Sequence, residues 1–100
     1  MNVVYVVNRN IDPISDLGDV KAVLQYTPLY CVLVSSIYDM QLAHQFAELD
    51  EILQVTGGDD FVLKTAREYA DKSEMAVLII GDAVRLDEVK EDGTREALVC

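Results

Sequence analysis

The sequence predicts a single α/β domain, spanning residues 1–100, in which helices cover both faces of a largely parallel sheet. Residues 2–7 and 75–80 are almost continuous apolar runs, which is typical of parallel strands that are buried on both faces. Segments with helical spacing of apolar residues alternate with these runs, as in layered α/β sandwiches. We therefore expect the element order β-α-β-α-α-β with parallel core strands, followed by a C-terminal β-hairpin that makes the sheet mixed.

The first strand and the first helix follow from residues 2–28. The strand is expected over residues 2–7, and Asn8-Arg9-Asn10 ends it. Asp12 or Asp16 is the expected helix N-cap, because a short polar side chain can accept a hydrogen bond from a free amide there. The apolar stripe of this helix consists of Ile14, Leu17, Val20 and Leu24. Thr27-Pro28 closes it, because the residue before a proline disfavours the helical conformation.

The central stretch combines a buried strand with a helix start. Residues 29–35 form the second predicted strand, and Ser36 and Asp39 then fit the Ser-x-x-Asp capping pattern. A long helix is predicted over residues 39–55. Its buried stripe would consist of Leu42, Phe46, Leu49 and Leu53. Gly57-Gly58 would end this helix, because glycine accepts a positive φ without penalty.

The second half of the chain predicts one more helix, one more strand and a hairpin. The helix begins at Asp59 or Asp60 and runs to about Lys72, and Gly81-Asp82 ends the strand at residues 75–80. Residues 84–89 and 94–99 alternate in polarity around Lys90-Glu91-Asp92-Gly93, which predicts a β-hairpin. A helix over residues 83–91 is the alternative.

The charge balance excludes some partners and favours others. Eighteen acidic and eight basic residues give a formal net charge of −10. This charge disfavours direct binding to nucleic acid or to anionic membranes, and it favours basic proteins. The two cysteines, Cys31 and Cys100, do not make a disulfide framework. Since the N-terminal run also lacks the features of a signal peptide, we expect a cytoplasmic protein.

A candidate ligand site lies where the predicted parallel strands end. In open α/β sheets, ligands bind outside the carboxyl ends of the strands. The residues that the chain supplies there are Asn8, Arg9, Ser35, Ser36, Asp39 and Asp82. Arg9 would hold an anion and the helix start at Ser36 would offer free amides, whereas Asp39 and Asp82 would repel an anion unless a metal bridged them. The same residue types also serve ordinary caps and turns.

Catalytic and cofactor motifs are absent from the sequence. Neither glycine-rich phosphate-binding pattern occurs, and Gly57-Gly58-Asp59-Asp60 is interpreted as a C-cap followed by an N-cap between two predicted helices. The only histidine, His44, would lie roughly 12 Å along the predicted helix from Ser36, so the two cannot form a dyad. We therefore predict no catalytic residue, metal site or cofactor, and a non-enzymatic function is favoured.

Two functional hypotheses follow from the sequence. Residues 22–38 carry no charge and contain Tyr26, Tyr30 and Tyr38, which we take as candidate interface residues of an apolar-rich chain. The first hypothesis is a non-catalytic, acidic regulatory protein that forms a homodimer or larger assembly, or docks on a larger protein and covers a basic nucleic-acid-binding surface. The alternative is a sensor of a small ligand or nucleotide, or a minimal enzyme, that uses the crevice at the strand ends.

Overall fold

The fold is a mixed six-stranded sheet with helices on both faces. The computed structural model describes residues 2–10, 17–81 and 86–98, except for the side chains of Leu17 and Asp19. The strands are β1 (Val4–Asn8), β2 (Leu29–Val34), β3 (Ile52–Gln54), β4 (Ala76–Gly81), β5 (Asp87–Val89) and β6 (Arg95–Ala97). Their order in the sheet is β3-β2-β4-β1-β5-β6. The first four strands run parallel to one another, and β5 pairs in antiparallel register with both β1 and β6, which confirms the predicted fold class.

The central strands alternate between two apolar layers. The helices are α1 (Leu17–Leu24), α2 (Met40–Ala43) and α3 (Asp59–Ser73). Tyr5 and Val7 of β1 pack in the layer that contains α1 and α2, whereas Val4 and Val6 pack in the layer that contains α3. Residues 4–7 are thus buried on both sides, as the continuous apolar run predicts.

The apolar stripe predicted for α1 is confirmed at the two of its residues whose side chains are described. Val20 and Leu24 of α1 are buried, whereas Asp12, Ile14 and Asp16 lie outside the described residues. The buried face of α3 consists of Val62, Ala66 and Ala70. This helix is 15 residues long and is followed by Glu74 in the left-handed conformation, with φ of 58°.

The predicted helix over residues 39–55 is wrong in most of its length. Ile37–Asp39 is a 3₁₀ turn, α2 ends at Ala43, and a second 3₁₀ turn at Leu49–Glu51 leads into β3. β3 pairs in parallel with β2, with Ile52 opposite Val32 and Gln54 opposite Val34. The actual order of the main elements is therefore β-α-β-α-β-α-β followed by the hairpin.

Residues 52–54 form a strand and not part of a helix because, without β3, one edge of β2 would have no strand partner. In a segment of three residues, the burial of Ile52 beside an exposed Leu53 fits a helical spacing as well as a strand. Pairing with β3 satisfies backbone groups of β2, and Val55 N also donates to Val34 O at 2.8 Å. As a consequence, Gly57-Gly58 follows a strand, and its interpretation as the C-cap of a preceding helix is wrong.

The C-terminal hairpin is confirmed in its described part. β5 pairs with β6 in antiparallel register, with Glu88 opposite Glu96, and β5 also pairs with β1. Lys90 N donates to Thr94 O at 2.8 Å, and Gly93 adopts a φ of 89° in the turn. The alternative helix over residues 83–91 is wrong, because Asp87–Val89 is a strand.

Candidate functional site

The strand order brings the carboxyl ends of three parallel strands side by side. In β1 and β4 Asn8 lies opposite Gly81, and in β2 and β4 Val34 lies opposite Ile80. A crevice of about 180 Å³ opens beyond these ends. Its polar and glycine lining consists of Arg9, Ser35, Gly57, Asp59, Gly81 and Arg95. The crevice is therefore formed by the ends of β1, β2 and β4 together with the start of α3 and one residue of β6.

The location of the crevice follows from the way the chain crosses the sheet. β1 and β2 are followed by helices that pack on one face, whereas β3 is followed by α3 on the other face. Because the connections after β1 and β2 leave toward the other face, they leave a space above these strand ends on the face that carries α3. This is the position at which open α/β sheets commonly bind ligands.

Three residues that the sequence suggests as ligand contacts lie together at this edge. The Arg9 guanidinium donates from Nη2 to Ser35 Oγ at 3.2 Å, and the same nitrogen lies 3.9 Å from Asp39 Oδ2. Asp39 is buried, and its Oδ2 has almost no accessible surface and no hydrogen-bond partner among the described residues. A ligand cannot reach this oxygen, so Asp39 acts by holding Arg9 electrostatically.

A second arginine reaches the crevice from the hairpin. Arg95 Nη1 lies 4.0 Å from Asp87 Oδ2, an arrangement that resembles the Arg9–Asp39 pair. The arginine side chains are 34% and 35% exposed, whereas the Asp39 and Asp87 side chains are only 8% and 12% exposed. The two arginine side chains are thus partly exposed, whereas the carboxylates beside them are almost fully covered. Among the described residues that line the crevice, Asp59 is the only one with a carboxylate.

The start of α3 completes the crevice. Gly58 is the N-cap and has no side chain to accept a hydrogen bond from the first turn, so the amides of that turn stay available. Gly57 has a φ of 143°, and a Cβ atom there would lie 2.9 Å from Cδ1 of Phe61. Glycine at position 57 is therefore required by the backbone conformation and by the ring that packs on it.

Other predicted ligand residues have local structural roles. Asn8 Oδ1 accepts a hydrogen bond from Asn10 N at 2.9 Å, and Ser36 Oγ accepts one from Tyr38 N at 3.2 Å. Ser36 therefore caps the short 3₁₀ turn at Ile37–Asp39. Asp82 lies outside the described residues. Sequence reasoning missed Gly57, Asp59 and Arg95 as lining residues, and their proximity depends on β3 and on the hairpin register.

The three candidate interface tyrosines are all exposed, but they lie at two ends of the sheet. Tyr26, Tyr30 and Tyr38 are 85%, 46% and 90% exposed. Tyr26 and Tyr30 lie near the amino end of β2, where the Tyr30 ring centroid is 6.1 Å from that of Tyr69. Tyr38 follows the carboxyl end of β2. Since a strand of six residues spans roughly 20 Å, the tyrosines do not form one continuous patch.

The described residues do not form an arrangement suited to nucleophilic catalysis or to metal binding. Cys31 is buried, and burial raises the pKa of its thiol to about 11, so the reactive thiolate is scarce at neutral pH. The only histidine of the sequence, His44, lies directly after the end of α2 at Ala43. Within residues 2–10, 17–81 and 86–98, no group of three His, Cys, Asp or Glu residues could hold a metal ion.

Comparison with known proteins leaves the site to be interpreted from its own geometry. No family model, no curated protein and no solved structure matches the chain. Among the helices of the described ranges, none has the length and apolar character needed to cross a bilayer. Functional conclusions therefore depend on the chemistry of the crevice and of the exposed surface.

Proposed function

We propose that this chain binds a small ligand through a phosphate or a similar anionic group held in the crevice at the strand ends. The observation that carries this proposal is the convergence of Arg9, Arg95 and the start of α3 on one opening. Guanidinium groups bind phosphate oxygens in a fixed, often bidentate geometry, and helix amides add donors of the same kind. Each arginine lies near a carboxylate and Asp59 also lines the opening, so the anion would be held by directed hydrogen-bond donors and not by a net positive charge.

The size of the crevice limits what can enter it. Pockets that enclose a whole small molecule usually measure roughly 300–1,000 Å³. The present crevice measures about 180 Å³, which is enough for a phosphate-sized group. We therefore propose that the anionic group of the ligand enters and that the rest of the ligand lies over the rim.

The residues that line the crevice favour binding over covalent catalysis. The described lining includes Ser35 and Asp59, but no histidine or cysteine. Ser35 Oγ already accepts a hydrogen bond from Arg9, a group that cannot remove its proton. A ligand-responsive domain without chemistry of its own is the function that this geometry supports best.

A thermal-shift experiment tests this function. At a concentration of about 100 Kd, a ligand adds about 2.7 kcal/mol to the free energy of unfolding, which raises the Tm of a domain of this size by roughly 10–20 °C. We expect a panel of inorganic phosphate, sugar phosphates and nucleotides to include a ligand that raises the Tm. We expect Arg9→Ala to reduce that rise strongly and Lys72→Ala, at the far end of α3, to leave it unchanged.

The Tm rise caused by a ligand has to be separated from the effect of each substitution on stability. Arg9→Ala leaves Asp39 buried without its cationic neighbour, so this variant should be less stable even without ligand. Each Tm rise is therefore measured against the same variant in the absence of ligand. If no compound of the panel raises the Tm of the wild-type protein, the proposed function is wrong.

A second candidate function is an acidic protein-interaction module. Ile37 and Tyr38 favour it, since two adjacent large side chains are 69% and 90% exposed. In this function the chain forms a homodimer or docks on a larger, basic partner in the cytoplasm. Light scattering on the purified protein, with Tyr38→Ser as the variant, tests the association. A strict monomer that captures no protein partner would argue against it.

A further inference from the structure

An exposed aromatic ring packs against Gly57, one of the residues that line the crevice. Phe61 belongs to the first turn of α3 and is 55% exposed. Its ring rests on Gly57, where an added Cβ would come within 2.9–3.4 Å of three Phe61 atoms. Gly57 and Asp59, which flank the helix start, both line the crevice. One side of the ring is thus supported by the Gly57 backbone, and more than half of the side chain is exposed next to residues that line the crevice.

The protein fold does not require this ring. The buried face of α3 is formed by Val62, Ala66 and Ala70, so Phe61 contributes to neither of the two apolar layers. Exposed aromatic rings bind planar groups by stacking, and nucleobases are sequence-tolerant partners for such rings. A supported aromatic ring next to an anion site is therefore a suitable contact for a base.

We propose that the ligand is a nucleoside phosphate, whose phosphate enters the crevice between Arg9, Arg95 and the start of α3 while its base stacks on Phe61. This inference depends on the proposed function and adds the chemical class of the ligand. The crevice volume of about 180 Å³ supports it, because a base cannot enter together with the phosphate and must lie outside. The exposed ring of Phe61 is the surface that the base then meets.

Two probes that share a ribose 5-phosphate group distinguish the contact of the phosphate from the contact of the base. Ribose 5-phosphate carries the anion without a base, and adenosine 5′-monophosphate carries both. We expect isothermal titration to give about tenfold tighter binding of the nucleotide, since stacking on one aromatic ring supplies an advantage of this order. We expect Phe61→Leu to remove this preference without changing the affinity for ribose 5-phosphate. Phe61→Tyr keeps the ring and should keep the preference.

The outcomes distinguish the inference from the proposed function. Equal affinities of the wild-type protein for the two probes would overturn the nucleoside inference and leave anion binding intact. The same holds if Phe61→Leu retains the preference, because the base would then contact another surface. If neither probe binds and the wider panel also fails, the proposed function and the inference both fall. The wild-type comparison needs no variant, so the test stands even if a variant fails to fold.

Discussion

The two ends of the parallel sheet use arginine in opposite ways. At the amino end, Arg67 of α3 donates to Asn2 O at 2.9 Å and to Val89 O at 3.3 Å, and it also pairs with Asp71 at 3.3 Å. These bonds connect α3 to the residues before β1 and to the end of β5. At the carboxyl end, Arg9 lies beside an open crevice, 3.9 Å from a carboxylate oxygen of Asp39. The backbone of Arg95 pairs with Val89, and its side chain extends past Asp87, at 4.0 Å, to line the same crevice.

This difference suggests how stability and binding are divided in the molecule. The bonds of Arg67 to backbone carbonyls hold three segments together, so this arginine contributes to the fold. Arg9 is held by the side chains of Ser35 and Asp39, which orient its guanidinium at the crevice. We therefore expect changes at the amino end to alter stability alone, and changes at the carboxyl end to alter ligand binding.

The largest effect on stability is expected from the glycine that shapes the crevice. Gly57→Ala places a Cβ against the Phe61 ring and forces an unfavourable φ of 143° on a residue with a side chain. We expect a loss of about 2–3 kcal/mol in the free energy of unfolding, measured by urea denaturation. Gly58→Ala is the matched control, because its Cβ would meet no atom within 4 Å. Equal losses in the two variants would contradict the described turn.

A smaller loss of stability is expected from Arg67→Ala. The variant removes donors from two backbone carbonyls, one of which is partly buried, and this should cost about 1–2 kcal/mol. Lys64→Ala, a nearby exposed cation on α3, should change the free energy of unfolding by less than about 0.5 kcal/mol. Ligand affinity should stay unchanged in both variants. A loss of affinity in Arg67→Ala would show that the two ends are not separate in function.

The sequence predicts the central part of the fold because local patterns of apolar residues define these elements. The runs that become β1, β2 and β4 are apolar on both faces, and α3 has an apolar face bounded by polar residues. β3 is different, since three residues carry no periodicity of their own and its conformation depends on the open edge of β2. The failed prediction of one long helix over residues 39–55 follows from this dependence on tertiary pairing.

The candidate site is predicted in part for the same reason. Arg9, Ser35 and Asp39 follow strands that the sequence identifies, and parallel strands bring their carboxyl ends to one edge. Gly57 and Asp59 belong to the site because β3 precedes them, and that strand is not visible in the sequence pattern. Arg95 depends on the pairing of β6 with β5, which sets which hairpin residue reaches the crevice.

The central claim is that an anionic ligand binds at the carboxyl end of the sheet. A titration of the ¹⁵N-labelled protein with ribose 5-phosphate, followed by amide chemical shifts, tests it most directly. We predict that the largest shift changes occur at Gly57, Gly58, Asp59 and the neighbouring amides of Arg9 and Ser35, while Asn2 and Asp71, which contact each other at the opposite end, stay unchanged. Saturable shift changes confined to the amino end would contradict the claim. So would the absence of any shift change, or changes spread over the whole surface that inorganic phosphate reproduces.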